Sequence, residues 1–218
     1  MTKRFDLIIF DCDGTLVDST QLIVDSIRAA SADVGLPLPE PSAARVIIGL
    51  GLTEAMDTLF GSISDTQLQQ MMARYRLHYF THDNEVALFD GVFNAIPALA
   101  QSGHKLAVAT AKGRKGLNAS LERSGLAQYF DATRCVDECF SKPHPQMLLE
   151  LMEELGTAAE RTLMIGDTSH DMQMAQNAHV ASLAVSYGAH PLQNLLVHAP
   201  LAHFDNFTKL NQWLIMNA

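Results

Sequence analysis

The chain predicts an α/β fold: a parallel sheet with crossover helices, interrupted by a helical insertion. Short runs such as Leu7-Ile8-Ile9-Phe10, Leu106-Ala107-Val108-Ala109 and Leu163-Met164-Ile165 have the length of buried strands and alternate with helix-patterned stretches. The stretch 17–86 holds no convincing strand pattern and reads as helices. With 218 residues the chain can bury roughly 70% of its unfolded surface, enough to fold without a disulfide framework.

The elements follow in order. A first strand covers 7–10. A helix begins near Gln21, where Leu22, Ile23 and Ile27 have helical spacing and Asp18 or Ser19 supplies the cap. Gly35-Leu36-Pro37-Leu38-Pro39-Glu40-Pro41 breaks the chain. Helices are expected over 52–59 and 65–80. In the second, Leu68, Met71, Met72 and Tyr75 form a stripe suited to packing rather than to a cofactor. Asp90-Gly91-Val92 reads as the turn back into the sheet, so 1–16 and 87–218 form the core and 17–86 the insertion. There follow a helix over 92–101, a strand ending at Thr110 and a helix over 114–123 stopped by Gly125. Next come a strand at 132–133, a helix over 145–155, a strand at 163–165 and a helix over 173–178. A strand over 181–185 and a helix over 208–216 carrying Trp213 complete the pattern.

The strand ends carry the chemistry. Asp11-Cys12-Asp13-Gly14-Thr15 directly follows the first strand. Two carboxylates held close have their pKa values pushed apart, so one serves ionised as nucleophile or metal ligand and the other protonated as general acid. A capping and a turn aspartate are the plain alternative. Thr110 closes the second run, Lys142 stands in Ser141-Lys142-Pro143-His144-Pro145, and the third run leads into Gly166-Asp167-Thr168-Ser169-His170-Asp171. Ligands of a parallel sheet bind outside the carboxyl ends of its strands, so these pieces meet in one crevice if the strands are neighbours. Three or four carboxylates there need a cation, and an oxygen-only donor set suits Mg2+ rather than zinc. A hydroxyl and an ammonium suit the oxygens of a phosphate, and the amides of Cys12, Asp13 and Gly14 would add an anion nest. A carboxylate nucleophile then implies an aspartyl-phosphate, hydrolysed by water with the second aspartate as base.

The joint order of these motifs resembles the haloacid dehalogenase (HAD) superfamily of phosphohydrolases over nearly the whole chain. The residues that carry the resemblance are Asp11 to Ser19, Thr110, Lys142-Pro143, and Gly166-Asp167 with Asp171. It implies a Rossmann-like core with an inserted α-helical cap, near the phosphoglycolate phosphatase and beta-phosphoglucomutase branch. By position it implies Asp11 as nucleophile and metal ligand, and Asp13 as general acid and base with its backbone carbonyl on the metal. It implies Thr110 and Lys142 as holders of the transferring phosphoryl group, and Asp167 with Asp171 as further support for Mg2+. Ala111 stands where relatives often carry Asn or Ser, which removes a polar group from the phosphate rim. Gly49-Leu50-Gly51 is by composition a turn or a contact loop, and the resemblance favours substrate contact at Gly49. Lys112 and Arg45 are candidates for a distal anionic group of the substrate, or solvated surface charges.

The same reading excludes several classes. A net charge of −9 argues against nucleic acid as the main partner, though not against a small phosphorylated metabolite. No stretch approaches a membrane span and the N-terminal apolar run is too short for a secretory signal, so a cytoplasmic location is the default. Nothing in the sequence sets the oligomeric state. Cys135 and Cys139 would share a face if helical; with His144 a zinc site is conceivable, and two reduced thiols are the plainer reading. His78, His82, His190, His198 and His203 show no metal spacing and are read as surface or packing; His179 stands where relatives often carry Gly and is read as a helix C-terminal residue rather than a catalyst. Asp13 and Asp167 argue against a true dehalogenase, and the absence of Lys from 17–86 argues against a Schiff-base phosphonate hydrolase. A mutase that returns the phosphoryl group to a sugar, and a non-catalytic phosphate-binding module, stand as alternatives to a phosphatase.

Overall fold

The structure is a computed structural model that describes residues 3–61 and 63–218. Met1, Thr2 and Ser62, which fall within the expected core and insertion, lie outside the described residues. Six strands form one sheet: β1 (Leu7–Phe10), β2 (Lys105–Thr110), β3 (Ala132–Cys135), β4 (Thr162–Gly166), β5 (Ala181–Val185) and β6 (Ala202–Phe204). Their order is β3-β2-β1-β4-β5-β6, and every neighbouring pair is parallel. The chain builds outward from β1 on one side, then crosses to β4 on the other. This places the topological switch point beside β1, where open α/β sheets form their crevice.

The helices are α1 (Thr20–Val34), α2 (Pro41–Val46), α3 (Leu52–Phe60), α4 (Asp65–His82), α5 (Val92–Gln101), α6 (Arg114–Arg123), α7 (Gln146–Glu154), α8 (Ser169–Asn177), α9 (Leu192–Leu196) and α10 (Phe207–Asn217). Successive side chains of a strand point to opposite faces, and β1 is buried on both. Ile8 and Phe10 join one cluster with Val92, Ile96, Leu117, Phe207 and Leu210. Leu7 and Ile9 join another with Met147, Leu148, Leu151 and Met174. That double burial is why the first strand reads as an unbroken apolar run.

Helices α1 to α4 pack around a third cluster of Ile23, Ile27, Ile47, Ile48, Met56 and Met71. Leu68 and Tyr75 lie against it as the stripe on α4 suggests, whereas Met72 does not take part. Among the described residues no helix is long and apolar enough to cross a membrane.

Several expected elements shift. Helix α8 starts at Ser169 rather than 173, because Thr168 and Asp171 form a reciprocal capping box. Ser19 occupies the cap position of α1, yet its hydroxyl makes no capping bond and donates to Asp13 instead. Helix α9 and the edge strand β6 had no sequence counterpart; β6 is three residues long and half exposed. Cys135 ends a strand and Cys139 lies in the turn beyond it, so the pair does not share a helical face. Burial pushes the Cys135 thiol up to about 12 and the Cys139 thiol up to about 11.

Candidate active site

Strands β2, β1 and β4 are adjacent, so their carboxyl ends open onto one crevice. Asp11 is the first residue beyond β1, and its amide donates to the Ile165 carbonyl of β4 at 2.9 Å. Thr110 ends β2, Asp167 follows β4, and Asp171 sits in the first turn of α8. Lys142 enters from the loop between β3 and α7.

Asp11, Asp167 and Asp171 are buried, and one carboxylate oxygen from each lies within 4.8 Å of the others. Lys142, fully buried, places its Nζ 2.9 Å from Asp11 Oδ1 and 2.6 Å from Asp171 Oδ1. One ammonium does not neutralise three carboxylates. Burial pushes the Asp11 carboxyl up to about 7; Lys142 opposes the rise and the Asp171 charge adds to it. Burial, then the charges of Asp11 and Asp171, hold the Asp167 carboxyl well above the usual range. Burial alone would lower Lys142, but the two carboxylates more than offset it and hold the ammonium above its ordinary value.

Each carboxylate oxygen can accept about two hydrogen bonds. Asp11 Oδ1 takes Lys142 and the Cys12 amide at 2.7 Å, which leaves Oδ2 without a partner among the described residues. Asp167 Oδ1 accepts from the Thr15 hydroxyl at 2.9 Å and Oδ2 from the Ala189 amide at 2.7 Å, so each oxygen keeps a lone pair. The backbone closes tightly around Asp167: a Cβ at Gly188 would stand 2.3 Å from its Oδ2. Asp171 Oδ2 accepts from the Thr168 amide and hydroxyl, and Oδ1 keeps one lone pair beside Lys142. The free lone pairs therefore belong to four carboxylate oxygens on three converging residues and to no nitrogen or sulfur, a donor set that fits a small hard cation such as Mg2+.

Asp13 is not part of that cluster. Its Oδ1 accepts from the Ser19 hydroxyl at 2.5 Å and pairs with Lys112 Nζ at 2.9 Å. At Asp11 burial is the dominant cause of the raised pKa, and the Asp13 charge adds less to it than the Asp171 charge does. The anion nest is also smaller than expected. The Cys12 amide is taken by Asp11 and the Gly14 amide donates to Val17 O at 2.8 Å. The Cys12 side chain lies in the hydrophobic core, and Gly14 backs directly onto Asp167. Thr110 Oγ1 accepts from the Lys112 amide at 3.1 Å, which leaves its hydroxyl proton available.

A cavity of about 580 Å³ opens above these groups. Asp11, Asp13, Thr110, Ala111 and Lys112 line its floor, and Gly49 lines its wall from the α2–α3 loop. Gly49 has φ +94°, and a Cβ there would meet Thr168 Oγ1 at 2.8 Å. The same loop donates from the Gly51 amide to Ser141 Oγ at 2.7 Å, next to Lys142. His190 fastens it again: Nε2 donates to Val46 O at 2.9 Å and Nδ1 accepts from the Ser169 amide at 3.1 Å. His190 is thus a buried packing residue, its pKa lowered by burial. Arg45 hydrogen-bonds Gln21 and does not line the cavity, while Arg76 does. Thr15 and Ser19 lie within the Asp11–Ser19 motif, but their hydrogen bonds to Asp167 and Asp13, like that of Lys112 to Tyr79, have no spacing signal in the sequence. Thr168 has one, the Thr-x-x-Asp spacing of a capping box.

The sequence pattern of the haloacid dehalogenase-like hydrolases matches residues 8–185. The chain belongs to this family. It is an enzyme of the hydrolase type that the family names. It is 35% identical over 209 residues to the "Probable phosphatase IndB" of Dickeya dadantii, covering 94% of this chain and 91% of that one. It is 32% identical over 186 residues to the "Pyrophosphatase PpaX" of Halalkalibacterium halodurans, covering 84% and 85%. Among solved structures, a "predicted phosphoglycolate phosphatase" from Haemophilus somnus superposes with a TM-score of 0.84 at 26% identity, covering 97% of this chain and 99% of that one. A hydrolase from Pseudomonas syringae superposes with a TM-score of 0.89 at 21% identity, covering 98% and 100%, a likeness of fold.

Proposed function

We propose that the protein is a Mg2+-dependent phosphatase that hydrolyses a small phosphomonoester through a phosphoryl group carried on Asp11. The observation that carries this reading is the state of Asp11. Its Oδ1 is pinned by Lys142 and the Cys12 amide, its Oδ2 has no hydrogen-bond partner among the described residues, and the residue lines the floor of the cavity. A carboxylate fixed at one oxygen and free at the other is oriented for in-line attack.

Asp11, Asp167 and Asp171 would hold the cation through side-chain oxygens, with the Asp13 carbonyl as a further ligand. When bound, Mg2+ supplies the positive charge that keeps these carboxylates ionised and offsets that of the phosphate. The chain's own groups do the rest. The Thr110 hydroxyl and the Lys142 ammonium hold the phosphoryl oxygens. Asp11 Oδ2 bonds to phosphorus as the ester P–O bond breaks. Asp13, beside the cavity, gives its proton to the departing oxygen, then takes one from the water that hydrolyses the acyl phosphate. Lys112 and Ser19 hold Asp13 in place for both steps.

Residues 17–86 would act as a cap domain over a core of 1–16 and 87–218, excluding water during attack and admitting it afterwards. The contacts of Gly49, Gly51 and Val46 with the core support that role. Three free cysteines support a cytoplasmic setting. The names of relatives make phosphoglycolate and pyrophosphate the first compounds to assay.

Phosphate release from p-nitrophenyl phosphate tests the reading. It should require Mg2+, stop on chelation and recover poorly with Ca2+, whose preferred shell is looser. Binding of phosphate esters without release would favour a passive binding module. Isomerisation of glucose 1-phosphate without release would favour a mutase.

A further inference from the structure

The cavity above Asp11 is divided in a way that phosphate chemistry alone does not require. Its floor is polar, whereas the walls supplied by the helical insertion are apolar: Ile23 and Ile27 of α1, Ile48 and Leu50 of the α2–α3 loop, and Phe80 of α4. At about 580 Å³ the space is of the size that takes a ring-bearing ligand. A second phosphate or a glycolate would fill a small part of it and leave the walls wet.

Two further features point to what the rest of the ligand carries. Tyr75 lines the cavity, and its hydroxyl makes no hydrogen bond among the described residues, whereas the neighbouring Tyr79 hydroxyl is taken by Lys112 at 2.7 Å. Arg76 of α4 and Lys115 of α6 also line the cavity, are exposed, and form no ion pair among the described residues. The Lys115 ammonium lies 5.9 Å from the centre of the Phe80 ring, on the apolar wall. The third cation of the cavity, Lys112, is committed to Asp13. Two cations on α4 and α6 with no ion-pair partner among the described residues, one of them against the apolar Phe80 wall, complement a negative charge on the ligand other than its phosphate.

We propose that the site selects phosphomonoesters whose alcohol half has an apolar, ring-sized body ending in a carboxylate or similar anion. The body lies on Ile23, Ile27, Leu50 and Phe80, a polar edge meets the Tyr75 hydroxyl, and the distal anion meets Arg76 and Lys115. Binding energy from this remote part holds the phosphate against Asp11. The step is the hydrolysis already described: the P–O bond to the alcohol breaks, and the alcohol leaves with the proton from Asp13. The inference rests on the phosphatase reading and names its substrate class.

Four alkyl or inorganic substrates test it: phosphoglycolate, pyrophosphate, benzyl phosphate and 4-carboxybenzyl phosphate. Benzyl and simple alkyl alcohols are similar leaving groups, so differences report binding of the body. Benzyl phosphate should exceed phosphoglycolate by about 10-fold or more in kcat/KM. The carboxyl group should add about 3- to 5-fold, and the double variant Arg76→Gln/Lys115→Gln should bring the ratio of the two benzyl esters to about one. Higher kcat/KM for phosphoglycolate than for both benzyl esters would overturn the inference and leave the phosphatase reading standing. A ratio unchanged in the double variant would overturn the assignment of the distal anion. Phosphate release from none of the four, nor from p-nitrophenyl phosphate, would overturn both.

Discussion

Lys112 Nζ lies 2.9 Å from Asp13 Oδ1, with side chains only 9% and 13% exposed. Among the described residues the same ammonium has no other charged partner, and it donates to the Tyr79 hydroxyl of α4 at 2.7 Å. A lysine read from sequence as a grip for substrate therefore holds the residue proposed to move the proton.

Replacing Lys112 by Met should lower kcat more than it raises KM. A fall of about 10- to 100-fold in kcat, with KM within about 3-fold, is expected for loss of a positioned acid. Steady-state kinetics on one alkyl phosphate decide the matter. A large rise in KM with kcat intact would return Lys112 to substrate recognition.

Gly49→Ala should impair both stability and turnover. The position has φ +94°, and the added methyl would stand 2.8 Å from Thr168 Oγ1, which itself caps α8 beside Asp171. Strain of about 1–3 kcal/mol is expected from the backbone alone. Urea unfolding measures it, and the same substitution at Gly35, where nothing lies within 4 Å, separates backbone strain from the clash.

Lys142→Met should destabilise the fold by about 3–5 kcal/mol near neutral pH, because it leaves buried carboxylates unpaired. Lys142 is fully buried between Asp11 and Asp171. Adding Asp171→Asn to that variant should recover part of the loss without restoring turnover. Denaturant titrations of both variants check this, and a single variant as stable as the parent would show that the ion pairs add nothing.

The metal-free protein should become less stable as pH rises. The Asp11 carboxyl, raised from 3.8 to about 7 chiefly by burial, keeps its proton in the folded chain over a range where the unfolded chain has released it. The folded state then binds more protons, so the stabilisation is complete below the unfolded value and lost as pH passes the folded one. Asp167, also raised, acts in the same direction. Mg2+ should reverse the loss at pH 8 and have little effect at pH 5, where protons compete for the same oxygens. Thermal unfolding with chelator and with Mg2+ at the two pH values tests this, and Asp11→Asn should reduce the difference.

Much of the core and of its site was legible because both rest on local pattern. Leu7 to Phe10 is apolar on both faces of a central strand, and Asp11 and Asp167 follow strands while Thr110 ends one, at positions that parallel packing brings together. The partners of Asp13 were not legible. Lys112 and Tyr79 are 33 residues apart and meet only because α4 lies over the end of β2. Nor could spacing show that Gly14 and Gly188 leave room for the Asp167 carboxylate, since no side chain records a close approach. The edge strand β6 is three residues long, too short for alternation to stand out.

The most direct test is to find where the phosphoryl group rests. Asp13→Ala protein, mixed with p-nitrophenyl phosphate and Mg2+ and quenched in acid within one turnover, should carry one phosphoryl group on the peptide containing Asp11. The good leaving group allows attack without the acid, and hydrolysis is slowed without the base. Phosphate released with no label on Asp11 at any time, or label on another residue, would contradict the account.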